Sequence, residues 1–363
     1  MSIKPIDKTS IHRITSGQVV IDLQTAVKEL VENSLDAGAT NLEVRFKQYG
    51  LATIEVIDNG GGISEENYEG LGNATLQALK NHTSKLSSFA DLTTVTTFGF
   101  RGEALSSLCA LCESVVVSTA TQPPMGVTLE MESSGKIRHK GKIARQAPIQ
   151  RGTTITLTNL FSMLPVRRKE FERNAKREFG KALALLNAYA LGPCSSRSGV
   201  RLVVSNQADK GYKSVQIRTP GTPSLRDSVS ALWGPKALDN ITALDLRFPA
   251  ERDKMALRRA AAPEADTAPI LVVVRGLVSK FAVGCGRTGT DRQFFYVNGR
   301  PCNMSKAQKA FNEVYRSFNA TQAPFIVADF ILPTDTCDIN VSPDKRSILL
   351  HHEANLIAAL KVR

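Results

Sequence analysis

No apolar run in the chain reaches membrane-spanning length, so no bilayer-crossing helix and no membrane partner are expected. The first residues, Met1-Ser2-Ile3-Lys4-Pro5-Ile6-Asp7, lack the apolar core of a secretory leader. Cysteine is scarce, six in 363 residues, which fits a reducing compartment better than a disulfide framework. Cys109 and Cys112 form a lone Cys-x-x-Cys with no second ligand pair nearby, so buried core thiols are expected there instead of a metal or redox site. The phosphate loop Gly-x-x-x-x-Gly-Lys-Ser/Thr is missing. Gly284-Cys285-Gly286-Arg287-Thr288-Gly289 has dinucleotide-loop spacing, but it precedes a strand instead of opening a helix, and that excludes the dinucleotide geometry. Internal repeats, zinc fingers and base-reading motifs are also lacking. Acidic residues are too few to balance the basic ones, 34 against 46, leaving a net charge of +12 and a pI near 9.5. Such an excess suits a polyanionic partner or a solvated basic surface.

The length allows two domains, and 42% hydrophobic residues are enough for an ordinary core in each. Val27, Leu30, Val31, Ser34 and Leu35 recur at helical spacing, with Gly38 as the stop. Residues 42–46 and 53–57 alternate as strands about a turn at Tyr49-Gly50. Residues 61–99 are polar and rich in small side chains, which predicts a mobile segment with short helices. A helix is predicted over 101–111, strands over 115–119, 127–131 and 153–158, a helix from about 168 to 191 and a strand over 200–205. This mixture is an α+β pattern. Residues 211–224, with Pro220, Gly221 and Pro223, read as a linker, which divides the chain into domains 1–215 and 216–363. The second domain shows strand-like runs at 270–274, 293–297, 325–330 and 338–341, and helix-like runs at 305–318 and 352–360. Residues 249–269, rich in alanine, proline and charge, predict an exposed loop.

Glu29 and Asn33 are four residues apart, so a helix projects both from one face. The carboxylate can deprotonate a water, and the carboxamide oxygen can complete a magnesium shell; an exposed amphipathic helix would also carry such a pair. Asp58 opens an Asp-Asn-Gly-Gly-Gly turn after a strand. It can accept a hydrogen bond from an exocyclic amine while Gly60 and Gly62 let backbone approach a base, although an ordinary aspartate-glycine turn has the same form. Phe98-Gly99-Phe100-Arg101-Gly102-Glu103-Ala104-Leu105 opens a helix whose first N–H groups can meet phosphate oxygens. Gly152-Thr153-Thr154 begins a later strand and can close a base pocket.

Together and in this order, Glu-x-x-x-Asn, Asp-x-Gly-x-Gly, Gly-Phe-Arg-Gly-Glu-Ala-Leu and Gly-Thr resemble the GHKL ATPase superfamily. Residues 28–39 and 99–105 resemble its MutL mismatch-repair branch. Residues 290–301 and 337–346 are similar to the eukaryotic PMS-type members, and the resemblance spans essentially the whole chain. It implies a GHKL (Bergerat-type) α/β sandwich followed by a smaller α/β domain resembling the second domain of ribosomal protein S5. It further implies ATP and magnesium, with Glu29 as general base, Asn33 as magnesium ligand, Asp58 as adenine reader, and Gly60, Gly62 and Thr153 shaping the pocket. Thr83, Ser84 and Lys85 match a nucleotide-lid motif, and Gly99, Phe100, Arg101, Gly102, Glu103, Ala104 and Leu105 match a phosphate cradle. Lys345, from the second domain, matches a γ-phosphate sensor that couples hydrolysis to domain geometry. Between Leu71 and Asn81 the spacing is about half a dozen residues longer than expected of this branch, an insertion of the kind loops tolerate but one that bears on lid closure and turnover. The resemblance implies slow ATP hydrolysis, ATP-driven dimer closure, a second MutL homologue as heterodimer partner, MutS homologues upstream, and the nucleus as location. The branch's metal-dependent endonuclease motif is absent from these residues, so nicking is not expected of them.

Arg167, Arg168, Lys169, Arg173, Lys176, Arg177 and Lys181 cluster on or before one helix, and Lys306, Lys309 and Arg316 on another. Arg173, Lys176, Arg177, Lys306 and Lys309 are the expected contacts for nonspecific DNA binding, although Glu170, Glu172 and Glu178 dilute the first cluster. Two alternatives share much of this pattern: the ATPase half of a type II topoisomerase, and a DNA-binding scaffold whose nucleotide site is inert.

Overall fold

The computed structural model describes residues 7–71, 98, 104–142, 150–196, 199–209, 211–251, 269–338, 349–350 and 353–361. It divides into two compact units, Met1–Asn187 with Arg197–Pro223, and Ala188–Ser196 with Ser224–Arg363.

In the first unit α1 (Lys8–Val19) starts where Asp7 accepts a hydrogen bond from the Ser10 N–H, and α2 (Leu23–Asp36) where Asp22 accepts from Thr25. Side-chain oxygens there satisfy donors that the first helical turn leaves open. α2 ends at Ala37-Gly38, and the chain enters β1 (Asn41–Lys47), then β2 (Thr53–Asp58). Further on lie α3 (Ala104–Leu111), β3 (Ser114–Gln122), β4 (Met125–Met131), β5 (Ile137–Lys142), β6 (Gly152–Thr158), α4 (Pro165–Leu191), β7 (Arg201–Gln207) and β8 (Lys213–Arg218). Among the described residues they form an eight-stranded sheet ordered β5-β4-β3-β6-β2-β1-β7-β8, antiparallel except for the β1–β7 pair.

Strand alternation decides which side chains meet the helices. Leu42, Val44 and Phe46 on β1 and Ile54 and Val56 on β2 are fully or almost fully buried. Phe46 meets Phe179 of α4 edge-on. The opposite face carries Glu43, Arg45 and Glu55 in a partly exposed ion-pair network. Asp58 has the parity of Ile54 and Val56, so it turns toward the helices. Cys109 and Cys112 are buried, and burial holds the Cys109 thiol up at about 12 and pushes Cys112 up too, as core thiols require.

The structure departs from the sequence reading at α1, β5 and β8. The expected linker 211–224 contains β8, an edge strand whose side chains are mostly exposed. With only one partner strand and little buried surface, its composition reads as loop.

In the second unit α5 (Leu225–Trp233) is followed by β9 (Ile241–Ala250), β10 (Ile270–Ser279), β11 (Gln293–Val297), β12 (Arg300–Cys302), α6 (Ser305–Arg316), β13 (Ile326–Ile331), β14 (Cys337–Asp338), β15 (Leu349–Leu350) and α7 (Glu353–Lys361). The sheet order is β12-β11-β13-β10-β9 among the described residues. Phe248, Val272, Val274, Ile326, Phe330, Leu356 and Leu360 belong to its main core. β9 escapes a sequence reading because it is an edge strand that carries Pro249, a residue that sheets tolerate at their edges. Most of the expected loop 249–269 lies outside the described residues.

Candidate functional site

Asp58 sits at the end of β2 opposite Thr153 of β6, and three donors converge on it. Its Oδ1 accepts from the Gly60 N–H at 2.9 Å and the Thr153 N–H at 3.2 Å, and its Oδ2 accepts from the Ser34 hydroxyl at 2.9 Å. An ionised carboxylate has about four lone-pair sites, so Oδ2 keeps acceptor capacity after these three bonds. Burial is the largest influence on Asp58 and raises its pKa above the usual carboxylate range, opposed by the bonds from Gly60, Ser34 and Thr153.

The following turn is tied down on both sides. The Gly61 N–H donates to the Ala37 carbonyl at the end of α2, and the Asn59 carboxamide oxygen accepts from the Thr40 and Asn41 N–H groups. The Ile63 N–H donates to Thr119 Oγ1, which lies 3.2 Å from Thr153 Oγ1. Close backbone approach makes two glycines necessary. At Gly62, with φ +72°, a Cβ would lie 2.5 Å from the Ala120 carbonyl oxygen; at Gly152, with φ +137°, it would lie 2.0 Å from that of Asp58.

α2 supplies the opposing wall. Glu29 is 7% exposed, whereas Asn33, one turn on, is exposed. Lys28 and Glu32 are buried beside Glu29, with Lys28 Nζ 3.3 Å from Glu29 Oε1 and 2.7 Å from Glu32 Oε2. Asp36 accepts from the Phe98 N–H at 2.9 Å. Ala104 is partly exposed and Leu105 buried at the start of α3.

The structure thus brings together Asp58, Gly60, Gly62 and Thr153, with α2, and hence Glu29 and Asn33, joined to that group through Ser34 and Ala37. Gly99, Phe100, Arg101, Gly102, Glu103, Thr83, Ser84, Lys85 and Lys345 lie outside the described residues, as does the longer spacing around 72–78. Ser34 and Thr119 escaped the sequence reading. Ser34 was visible as a polar residue within an apolar helical stripe; no local signal marks Thr119, which reaches the site through strand pairing.

The basic helix resolves into two kinds of residue. Arg167 Nη1 donates to the Gly17 and Val20 carbonyls at 2.9 and 3.2 Å, where α1 ends, and Arg168 Nη1 donates to those of Leu51 and Leu160, both at 3.0 Å. These two hold the fold together. Arg173, Lys176 and Arg177 are exposed, with Arg177 3.5 Å from Glu178 and Lys176 5.9 Å from the centre of the Tyr49 ring. On α6, Lys306 pairs with Glu353 at 2.6 Å and Lys309 is exposed.

Residues 21–157 match the family of histidine kinase-, DNA gyrase B- and HSP90-like ATPases, and residues 257–363 match the C-terminal domain of DNA mismatch repair proteins. The mismatch repair endonuclease PMS2 of Gallus gallus is 46% identical over 362 residues, which take in 99% of this chain and 40% of the relative. The crystal structure of the N-terminal domain of a DNA repair protein is 38% identical, with a TM-score of 0.81 and 97% of this chain and 96% of that one covered. The chain belongs to the MutL family of mismatch repair proteins, in its PMS branch. It spans 40% of the length of that PMS2 relative. The Aquifex aeolicus MutL ATPase domain complexed with ADP is 21% identical, with a TM-score of 0.51 and 85% of this chain and 90% of that one covered, and shares the fold. Membership of the MutL family favours the mismatch-repair reading over the topoisomerase alternative.

Proposed function

We propose that this chain is the ATP-binding, slowly hydrolysing N-terminal module of a PMS-type mismatch repair protein. The observation that carries this reading is the partly buried Asp58, held by three donors with acceptor capacity left on Oδ2, across from a helix that bears Glu29 and Asn33. The absence of a Cβ at Gly62 lets the turn after Asp58 pack directly on the backbone of Ala120 in β3, which fixes the turn beside that carboxylate. Asp58 reads the adenine amine, and Thr153 supports the pocket from β6. Glu29 removes a proton from the attacking water as the water oxygen bonds to the terminal phosphorus of ATP and the bond from that phosphorus to the bridging oxygen breaks, releasing ADP and phosphate. The hard carboxamide oxygen of Asn33 suits magnesium, which when bound neutralises phosphate charge. The segments around Thr83-Ser84-Lys85 and Gly99 to Glu103, and Lys345, complete the phosphate end in this reading.

Family relatives are mismatch repair proteins by name, which supports a DNA-repair setting for the proposed activity, and the nucleus is the location this reading assigns to it. Nucleotide-driven closure with a second MutL homologue, recruitment by MutS homologues and nonspecific DNA binding through Arg173, Lys176, Arg177, Lys306 and Lys309 form the rest of the proposal. The test pairs calorimetry with single-turnover hydrolysis. The protein is expected to bind a nonhydrolysable ATP analogue with magnesium, and Glu29→Ala is expected to keep that affinity within about threefold while losing about 100-fold in rate. Failure of the parent protein to bind the analogue overturns the nucleotide reading; equal rates in parent and variant favour an inert scaffold.

A further inference from the structure

Lys28 joins two carboxylates of its own helix, and the three side chains are almost completely buried: Lys28 at 3% exposure, Glu32 at 1% and Glu29 at 9%. Taking such ions out of water costs several kcal/mol each before their mutual attraction offsets it, so a buried cluster of this kind is a weak source of stability. The geometry is also uneven. Residues 28 and 32 are one helical turn apart and meet naturally, at 2.7 Å. Adjacent residues such as 28 and 29 do not face each other on a helix, yet Lys28 Nζ reaches Glu29 Oε1 at 3.3 Å.

We propose that Lys28 is a positioning residue for ATP hydrolysis: Glu32 anchors its ammonium, and the ammonium holds one oxygen of Glu29 so that the carboxylate is presented to the water in a fixed orientation. This inference rests on the reading of Glu29 as general base. A glutamate has three side-chain torsions, and a grip on Oε1 limits the orientations its other oxygen can take. Misplacement of a catalytic group by about 1 Å costs on the order of 100-fold in rate. A nearby cation also weakens a carboxylate as a base. The contact to Glu32 is the shorter, 2.7 Å against 3.3 Å, so Glu32 is the anchor of the ammonium and Glu29 the group it steers.

The test uses four variants of the whole chain and two readouts, analogue affinity and the single-turnover rate at saturating ATP. Lys28→Met with Glu32→Gln removes the anchored pair together, which avoids leaving Glu32 as a buried charge without Lys28. It is expected to lower the rate about 10- to 100-fold while affinity stays within about threefold. Glu32→Gln alone, which preserves the lysine, is expected to lower the rate about threefold or more at unchanged affinity, and it decides the matter if the double variant does not fold. In a Glu29→Ala background the Lys28/Glu32 replacement is expected to change the residual rate less than about twofold, because a residue that acts only through Glu29 has nothing left to position. The inference is overturned by an unchanged rate in either variant, by an affinity loss that matches the rate loss, or by equal fold losses with and without Glu29. If Glu29→Ala hydrolyses like the parent, the base reading itself fails and takes this inference with it, an outcome distinct from those three.

Discussion

Asp58 links folding stability to the adenine recognition proposed for it. Its raised pKa means that the folded protein binds the proton more tightly than the unfolded chain does. The resulting stabilisation is fully present below the ordinary aspartate value and is lost as pH rises through the raised one. The stability of the parent relative to Asp58→Asn should therefore decline across that window, as thermal unfolding at a series of pH values would show. Nucleotide affinity should move the other way. Only the ionised carboxylate accepts freely from an adenine amine, so affinity in the parent should fall as pH drops from about 7 toward 4. Asp58→Asn should bind weakly with no such dependence in a calorimetric titration; a parent with flat affinity down to pH 4 would refute the assignment. The identities of Asp58 and Glu29 were legible in sequence from motif and spacing. The Ser34 bond and the Lys28 contact were not, because each depends on how α2 is rotated against its surroundings.

At the level of elements, α4 divides its positive charge between two tasks that composition cannot separate. Arg167 caps the end of α1 by donating to two main-chain carbonyls, so its loss leaves acceptors without a charged donor. Arg167→Met should cost about 2–3 kcal/mol in urea unfolding, whereas Arg173→Ala, on the exposed stripe, should stay within about 0.5 kcal/mol. Equal effects would mean that the exposed and inserted arginines had been wrongly distinguished. The helix itself was legible from its period, β1 and β2 from their alternation, and β3, β4 and β6 as short strand-like runs. β5, β8 and β9 were missed for a common reason: each lies at a sheet edge, where one side pairs with nothing and the side-chain pattern weakens.

For the molecule as a whole, an excess of twelve positive charges suits a polyanionic partner or a solvated basic surface and does not choose between them. If the exposed stripe of α4 is the DNA surface, replacing Arg173, Lys176 and Arg177 together by alanine should weaken duplex binding for all sequences alike. It should also make the slope of log affinity against log salt shallower by about 2–3. Replacing Lys306 and Lys309 instead asks the same question of α6. An unchanged slope in the first variant would assign the binding elsewhere.

The sequence by itself carried the resemblance to the superfamily, through the order of its acid, amide and glycine motifs, and to the mismatch-repair branch, through residues 28–39 and 99–105, because the chemical requirements behind such motifs act at short sequence separation. What the tertiary structure alone decided was which polar groups meet. Thr119 joins Thr153 through pairing between β3 and β6, Ser34 meets Asp58 across 24 residues, and Arg167 reaches Gly17 across 150. Such contacts follow from strand register and helix rotation, which are set by burial of the opposite faces; a polar residue in an apolar stripe, as at Ser34, marks a buried partner without naming it.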